Sequence, residues 1–331
     1  MSSILTGITT SGSPHLGNYV GAIKPAINLS KKNDSFIFLA DYHSLIKQHD
    51  PDLTHSSTLK ISAAFIACGL NPDKAIFYRQ SKIHQIMELN WILSSITPKG
   101  LMNRAHAYKA MQDATKGQDK DKNVLMGLFN YPILMSADIL MFNADSIPVG
   151  SDQKQHIEMT RDIAEKFNNT FGEFFTLPEP LIDKNLPLLP GIDGQKMSKS
   201  YNNFIDLFCS SKELQKKINS IKTDSLMPGE RKDKNDSLIY LYFQSFCNDE
   251  DIKKIDNYYL DGMGWGDLKK MLFDIIDSEL GPYRDKYEKL ISKPSLIEEV
   301  LTEGEKKASK IAQDNLERIR ELVGIKSLNG K

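Results

Sequence analysis

Short apolar runs alternate with amphipathic, helix-length segments through the first half of the chain. Residues 4–9 form a β-prone run, 17–32 carry Val20, Ile23 and Ile27 at helical spacing, and 36–41 (FIFLAD) read as a strand with no polar alternation. A helix over 53–70 opened by Asp50-Pro51-Asp52, a strand over 75–79 and a helix over 83–96 continue the alternation. Unbroken apolar strands separated by helices predict a parallel sheet covered on both faces, with ligands bound at the carboxyl ends of its strands. Residues 9–18 and 41–43 fall at such ends.

Residues 111–123 (MQDATKGQDKDKN) are polar without periodicity and predict a mobile loop. An apolar helix over 131–143 carries one carboxylate, Asp138; a strand over 146–149 and a helix over 153–168 follow. The stretch 177–194 is rich in Pro and Gly and marks a boundary, beyond which the strand signal vanishes. Helical patterns then occupy 206–221, 237–246, 250–259, 267–279, 282–291 and 295–323. The expected fold is α/β: a Rossmann-type doubly wound parallel sheet over 1–190, a mobile lysine loop over 191–205, a helical domain over 206–290, and helices over 291–331 packing back on the first domain.

Composition narrows the function classes. Forty-two Lys and Arg against 43 Asp and Glu leave a formal charge of −1, so any nucleic-acid contact must be a local patch. No apolar run reaches the roughly 18–20 residues a bilayer span requires, and the N-terminus lacks the basic and apolar regions of a secretory signal. Cys68, Cys209 and Cys247 form no C-x-x-C pair, which excludes a disulfide framework and a cysteine-based metal site within one chain. The expectation is a cytoplasmic protein with no tightly bound metal.

Two short segments carry chemistry. Ser13-Pro14-His15-Leu16-Gly17-Asn18 lies between the first strand and the first helix, where Gly17 permits close backbone approach and His15 and Asn18 add donors for an anion. By itself it reads equally as a plain capped turn. Gly194-Gln195-Lys196-Met197-Ser198-Lys199-Ser200 sets two lysines three apart among serines, a positive clamp suited to a polyphosphate. By itself it is a solvated basic turn.

Together these segments resemble the two signatures of class I aminoacyl-tRNA synthetases, and the chain resembles the bacterial tryptophanyl-tRNA synthetases. The resemblance extends through GITTSG, PHLGNYVGA, LADYH at 39–43, PILMSADILMFNAD at 132–145, VGSDQKQHIEMTRDIAEKFN at 149–168, GQKMSKS and EGEKKASKIA at 303–312. It implies attack of the tryptophan carboxylate on the α-phosphorus of ATP, release of pyrophosphate, and transfer of the acyl group to the 3′ end of a tryptophan tRNA. Positioning and charge stabilisation then supply the catalysis, with magnesium sharing the phosphate charge.

The same resemblance implies residue roles. His15, Asn18, Lys196 and Lys199 would be catalytic. Thr9, Thr10, Ser11, Gly12, Gly17, Gly150, Asp152, Gln153, Leu188, Met197, Ser198 and Ser200 would join them around ATP, with Asp152 accepting from the ribose. Leu5, Gly7, His43, Tyr131, Met135, Asp138 and Gln153 would surround tryptophan. Among these, Asp138 is chemically distinctive, because an indole N–H donates without accepting and a carboxylate is its natural partner. His156 and Glu158 would support Gln153. The implied partners are tRNA, L-tryptophan, ATP and a second copy in a homodimer, to which the apolar stretch 77–91 would contribute. Lys212, Lys216, Lys217 and Lys222 would face the tRNA anticodon from the helical domain.

The chain departs from the family in three places. Thr9-Thr10 stands where Gln-Pro is common, the loop at 111–123 is longer, leaving Lys109 and Lys116 as alternative phosphate contacts, and the linker before GQKMSKS differs, so Leu188 or Leu189 with Met197 would meet adenine. Three rivals remain open: a tyrosyl-tRNA synthetase, a small-molecule nucleotidylyl transferase and an inactive RNA-binding paralogue. The MSAD context of Asp138, the helical half after the lysine loop, and the joint presence of His15, Asn18, Lys196 and Lys199 weigh against them in turn.

Overall fold

The computed structural model describes residues 3–150, 153–182, 189–198 and 201–328. Five strands, β1 (Ser3–Ile8), β2 (Asp34–Leu39), β3 (Ala75–Arg79), β4 (Ser146–Pro148) and β5 (Glu179–Leu181), form a parallel sheet in the order β3-β2-β1-β4-β5. The edge strand β5 is a departure from expectation: it is three residues long and contains Pro180, whose missing N–H an edge strand tolerates.

Between the strands run α1 (Leu16–Asn18), a π-helical turn (Tyr19–Ile23), α2 (Lys24–Ser30), α3 (Asp41–Ser44), α4 (Pro51–Ala67), α5 (His84–Ile96), α6 (Lys99–Met102), α7 (His106–Ala114), α8 (Met126–Met141) and α9 (Lys154–Phe171). The start of α4 follows from Asp50, whose side chain accepts from the N–H groups of Asp52 and Leu53. Strand β2 shows why its run lacks polar alternation. Ile37 and Leu39 enter one core with α4, while Phe36 and Phe38 enter a second with α5, α8 and α9.

The second half is helical: α10 (Ser211–Asn219), α11 (Leu238–Phe246), α12 (Asp249–Leu260), α13 (Trp265–Ser292) and α14 (Pro294–Leu322). Two helices expected over 267–291 are one, because α13 runs through Pro282. The buried stripe Leu268, Leu272, Ile276, Leu280 and Leu290 outweighs the roughly 3 kcal/mol that an interior proline costs. Helix α14 returns to the sheet and covers β3. Gly304 permits the contact, since a Cβ there would lie 1.9 Å from the Phe77 carbonyl oxygen. Arg79 binds Glu298 and Glu305, and Arg320 binds Glu88, fastening α14 to β3 and α5.

The polar stretch 111–123, expected to be loop throughout, is so only in part. Its first residues belong to α7, and the remainder is tied by its own side chains: Tyr108 Oη and Gln112 Nε2 donate to Asp121 at 2.8 and 2.9 Å, and Lys120 Nζ donates to the Thr115 carbonyl at 3.0 Å. Among the described residues no helix is long and apolar enough to cross a membrane.

Candidate active site

The carboxyl end of β1 opens into residues 9–15, which are braced from beneath. Thr10, fully buried, takes the Ser44 hydroxyl on its N–H at 2.8 Å and on its own hydroxyl at 3.1 Å. Ser57 and Lys60, one turn apart on α4, reach Gly12 N–H (2.7 Å) and the Ser13 hydroxyl (3.2 Å). Thr10 thus serves the loop's support instead of facing a ligand. Thr9 and Ser11 are exposed beside it.

His15 and Asn18 form a reciprocal capping box. His15 Nδ1 accepts from the Asn18 N–H at 3.2 Å, and Asn18 Oδ1 accepts from the His15 N–H at 3.0 Å. The chain after the lysine loop pairs with this turn: Leu16 N–H donates to the Ile205 carbonyl at 2.9 Å and Leu207 N–H to the Pro14 carbonyl at 3.1 Å. Met197, although 180 residues away in sequence, lays its sulfur 3.4 Å from the Gly17 N–H. A Cβ at Gly17 would lie 3.1 Å from the His15 ring, which would have to give by a few tenths of an ångström, so glycine leaves the ring its room. The two motifs therefore meet in one place.

Asn203, which the sequence reading missed, organises the lysine loop. Its amide donates to Asp193 Oδ1 (2.8 Å) and the Lys196 carbonyl (3.1 Å), and its oxygen accepts from Ser198 N–H (2.8 Å). These bonds leave the Lys196 side chain exposed. They also hold the Asp193 carboxyl below its ordinary range, with Asn203 the largest cause. Lys199 and Ser200 lie outside the described residues, as do Asp152 and Leu188; Leu189 is buried in the core. Gly150 and Gln153 are exposed at the carboxyl end of β4, with Gln153 at the N-terminal cap of α9.

A second cluster forms on α8. Tyr131, Met135 and Asp138 are spaced four and three apart and share one helix face. The Asp138 carboxylate is wholly buried and accepts from His43 Nε2 at 2.9 Å, while Gln80 Nε2 sits 2.9 Å from both of its oxygens. Burial pushes the Asp138 carboxyl above its usual range, and the bonds from His43 and Gln80 partly counter that. Tyr131 meets His43 edge-on at 6.4 Å and shares a 2.8 Å hydrogen bond with His156 Nε2, so His156 supports Tyr131. Gln80 was also missed; its signal is a buried polar residue directly after a strand's carboxyl end.

Leu5 is core, while Gly7 is exposed and leaves room for the Phe38 ring, which a Cβ would meet at 2.4 Å. Lys109 and Lys116 are exposed on and after α7. On α10, Lys212 and Lys216 are exposed, and Lys217 Nζ lies 5.5 Å from the Phe204 ring centroid. Lys222 N–H donates to the Ile192 carbonyl, so this end of α10 abuts the lysine loop. Among the described residues no group of three or more His, Cys, Asp or Glu side chains is placed to hold a metal.

A family profile described as tRNA synthetases class I (W and Y) matches residues 1–281. The chain belongs to that family. A tryptophan–tRNA ligase of Neisseria meningitidis serogroup A is 52 % identical over 330 residues, covering 98 % of both chains. That of Pseudomonas putida is 52 % identical, covering 98 % of this chain and 74 % of the relative. The tryptophanyl-tRNA synthetase of Campylobacter jejuni, solved with ADP and tryptophan, superposes with a TM-score of 0.84 at 41 % identity, covering 97 % of this chain and 99 % of that one.

Proposed function

We propose that this class I synthetase activates L-tryptophan with ATP, releases pyrophosphate, and esterifies the 3′ end of a tryptophan tRNA. The observation that carries this reading is the meeting of the His15–Asn18 turn with the Met197 loop; the buried Asp138 carboxylate of α8 is bonded separately to His43, just past the carboxyl end of β2. ATP brings its magnesium with it. His15 and Asn18 contact the phosphates, while Lys196 and Lys199 stabilise the negative charge that builds on the leaving pyrophosphate. Gly150, Asp152 and Gln153 receive the ribose. No residue of the chain forms a covalent bond to substrate; the enzyme brings the tryptophan carboxylate in line with the α-phosphorus.

Asp138 accepts the indole N–H. A carboxylate offers about four acceptor positions. Its contacts to Gln80 and His43 occupy three of them and leave one on Oδ1. Tyr131, Met135 and His43 wall the ring. The helical module α10–α13 carries the tRNA. The chain pairs as a homodimer through the apolar face where Trp91, Leu125 and Met126 are 75 %, 55 % and 66 % exposed beside a groove of about 270 Å³. Sedimentation of Trp91→Glu as a monomer, against a dimeric parent, supports that pairing; an unchanged dimer removes it. The reaction itself is tested by ATP–pyrophosphate exchange with each of the twenty amino acids. Tryptophan alone drives rapid exchange if the assignment is right, and a tyrosine preference or no exchange rejects it.

A further inference from the structure

One carboxylate of the helical module reaches the helix that starts at the nucleotide turn. Tyr19 follows Asn18 directly and stays in the same turn, its N–H donating to the His15 carbonyl at 3.1 Å. Its ring is buried, 6.3 Å from Phe246 of α11 and 6.5 Å from Tyr283 of α13. Its hydroxyl donates to Glu279 Oε1 of α13 at 2.6 Å, and Lys24 Nζ donates to the same oxygen at 2.8 Å. The Lys24 ammonium also lies 5.7 Å from the Tyr19 ring centroid and 5.6 Å from that of Phe246. Both donors thus come from the helix that starts at the nucleotide turn, and the acceptor comes from the far half of the chain.

The helix between them is not uniform. Tyr19–Ile23 form a π-helical turn in which Lys24 N–H reaches back to the Tyr19 carbonyl. Pro25, which has no N–H to give Gly21, stands where the wide turn returns to ordinary helix. A π-turn is a poor local structure that packing must maintain, and such turns recur at functional sites. Burial and the neighbouring Glu279 carboxylate push the Tyr19 phenol far above its ordinary range, so it remains a donor.

We infer that Tyr19 and Glu279 are positioning residues for tryptophan activation: their bond, shared with Lys24, fixes the tilt of the wide turn and thereby aims His15 and Asn18 at the ATP phosphates. The inference rests on the function proposed above. A loss of aim by a fraction of an ångström slows a reaction whose catalysis is mainly positional, while the tryptophan cluster on α8 is untouched.

The test is tryptophan-dependent pyrophosphate exchange by the full chain carrying Tyr19→Phe, Glu279→Ala or Glu279→Gln, with thermal unfolding followed in parallel. Tyr19→Phe keeps the buried ring and deletes only the hydroxyl. It is expected to lower kcat about tenfold with KM for tryptophan unchanged. Glu279→Ala is expected to match it, the double variant to be no slower than the slower single, and Glu279→Gln, which keeps an acceptor, to recover most of the rate. Full kcat in both Tyr19→Phe and Glu279→Ala overturns the inference. So does a loss in which kcat falls and KM for tryptophan rises together in proportion to thermal stability, since that marks mere structural support. A parent chain without tryptophan-dependent exchange would instead reject the proposed function.

Discussion

Replacing Asp138 by Asn isolates the carboxylate charge that the proposed function assigns to the indole N–H. The two side chains are nearly equal in volume, so no cavity forms. Asn keeps one oxygen and presents an NH₂ in place of the other, while Gln80 Nε2 stays a donor 2.9 Å from both positions; His43 Nε2, 2.9 Å from Oδ2, can take either role with its tautomer. Whichever way the amide turns, its NH₂ faces a donor, and the acceptor position left for the indole N–H becomes neutral or disappears. A hydrogen bond to a charged group is worth about 1.5–3 kcal/mol, and each 1.4 kcal/mol is a factor of ten. kcat/KM for tryptophan in pyrophosphate exchange should therefore fall about 10- to 150-fold. Phenylalanine offers no N–H to lose, so its weak activation should change little and the tryptophan-to-phenylalanine ratio should shrink by nearly the whole factor. KM for ATP should stay within about twofold.

Stability supplies the control. Burial disfavours the Asp138 charge, and removing that charge offsets part of the penalty of the unpaired donors, about 1–3 kcal/mol for each. The thermal midpoint should move far less than specificity does. Because the native Asp138 pKa is raised above the ordinary value of about 3.9, folding takes up a proton at this site. Its contribution therefore favours the native state at low pH and declines as pH rises from the ordinary value through the raised native one. That slope should be absent in Asp138→Asn. A folded variant that keeps the full tryptophan-to-phenylalanine ratio refutes the assignment, and collapse of the fold would make Asp138 a structural residue.

Three other perturbations have defined outcomes. Lys196→Ala should slow pre-steady-state pyrophosphate release by about 2–4 kcal/mol in the barrier with tryptophan affinity unchanged, and an unaltered release rate removes Lys196 from the phosphate site. Gly304→Ala drives a Cβ to 1.9 Å from the Phe77 carbonyl oxygen, so α14 must lift from β3; denaturant unfolding should show a loss of about 1–3 kcal/mol, and wild-type stability would mean the helix shifts freely. Arg320 holds the Glu88 carboxyl below its ordinary range, so that pair stabilises the fold above the usual carboxylate value of about 4.3 and stops doing so as pH falls through the lowered native value. Thermal melts of Glu88→Gln should lack that part of the acid-side slope, and identical slopes in parent and variant refute it.

How much was legible in the sequence depended on how local each signal was. The runs that became β1, β2 and β3 are apolar on both faces, and a buried parallel strand leaves that mark wherever it lies. Asp50 announced α4 because an N-cap acts on its own next turn. By contrast, β5 carries Pro180 and three residues only, and its pairing with β4 is decided by the neighbour. Pro282 signalled a break that the packing of α13 overrode. The site divides the same way. His15, Asn18 and Lys196 sit in short strings with their own chemistry, and Asp138 is a carboxylate in an apolar helix. Gln80 and Asn203 are ordinary polar residues until the fold brings their partners to them, Asp138 lying 58 positions from Gln80.

The two halves of the proposed site are linked through α3, whose His43 bonds Asp138 and whose Ser44 braces Thr10, but they stand on different cores, and this has a measurable consequence. The cluster proposed to hold tryptophan stands on α3, α8 and the end of β3, within the core that also holds α5 and α9. The nucleotide turn stands over the opposite core, which runs continuously into α10, α11 and α13. Asp138 and Tyr19 share no hydrogen-bond partner: one is held by His43 and Gln80, the other by Glu279. Substitutions at distant sites without shared partners add to within about 0.3–0.5 kcal/mol. The double variant Asp138→Asn, Tyr19→Phe should therefore lose kcat/KM by the product of the two single losses, to within about twofold. Agreement means that indole selection and phosphate alignment are set independently, each by its own buried contacts. A double variant much less impaired than the product would mean that the Asp138 site acts through the nucleotide turn, and the separation of the site into two halves would be wrong.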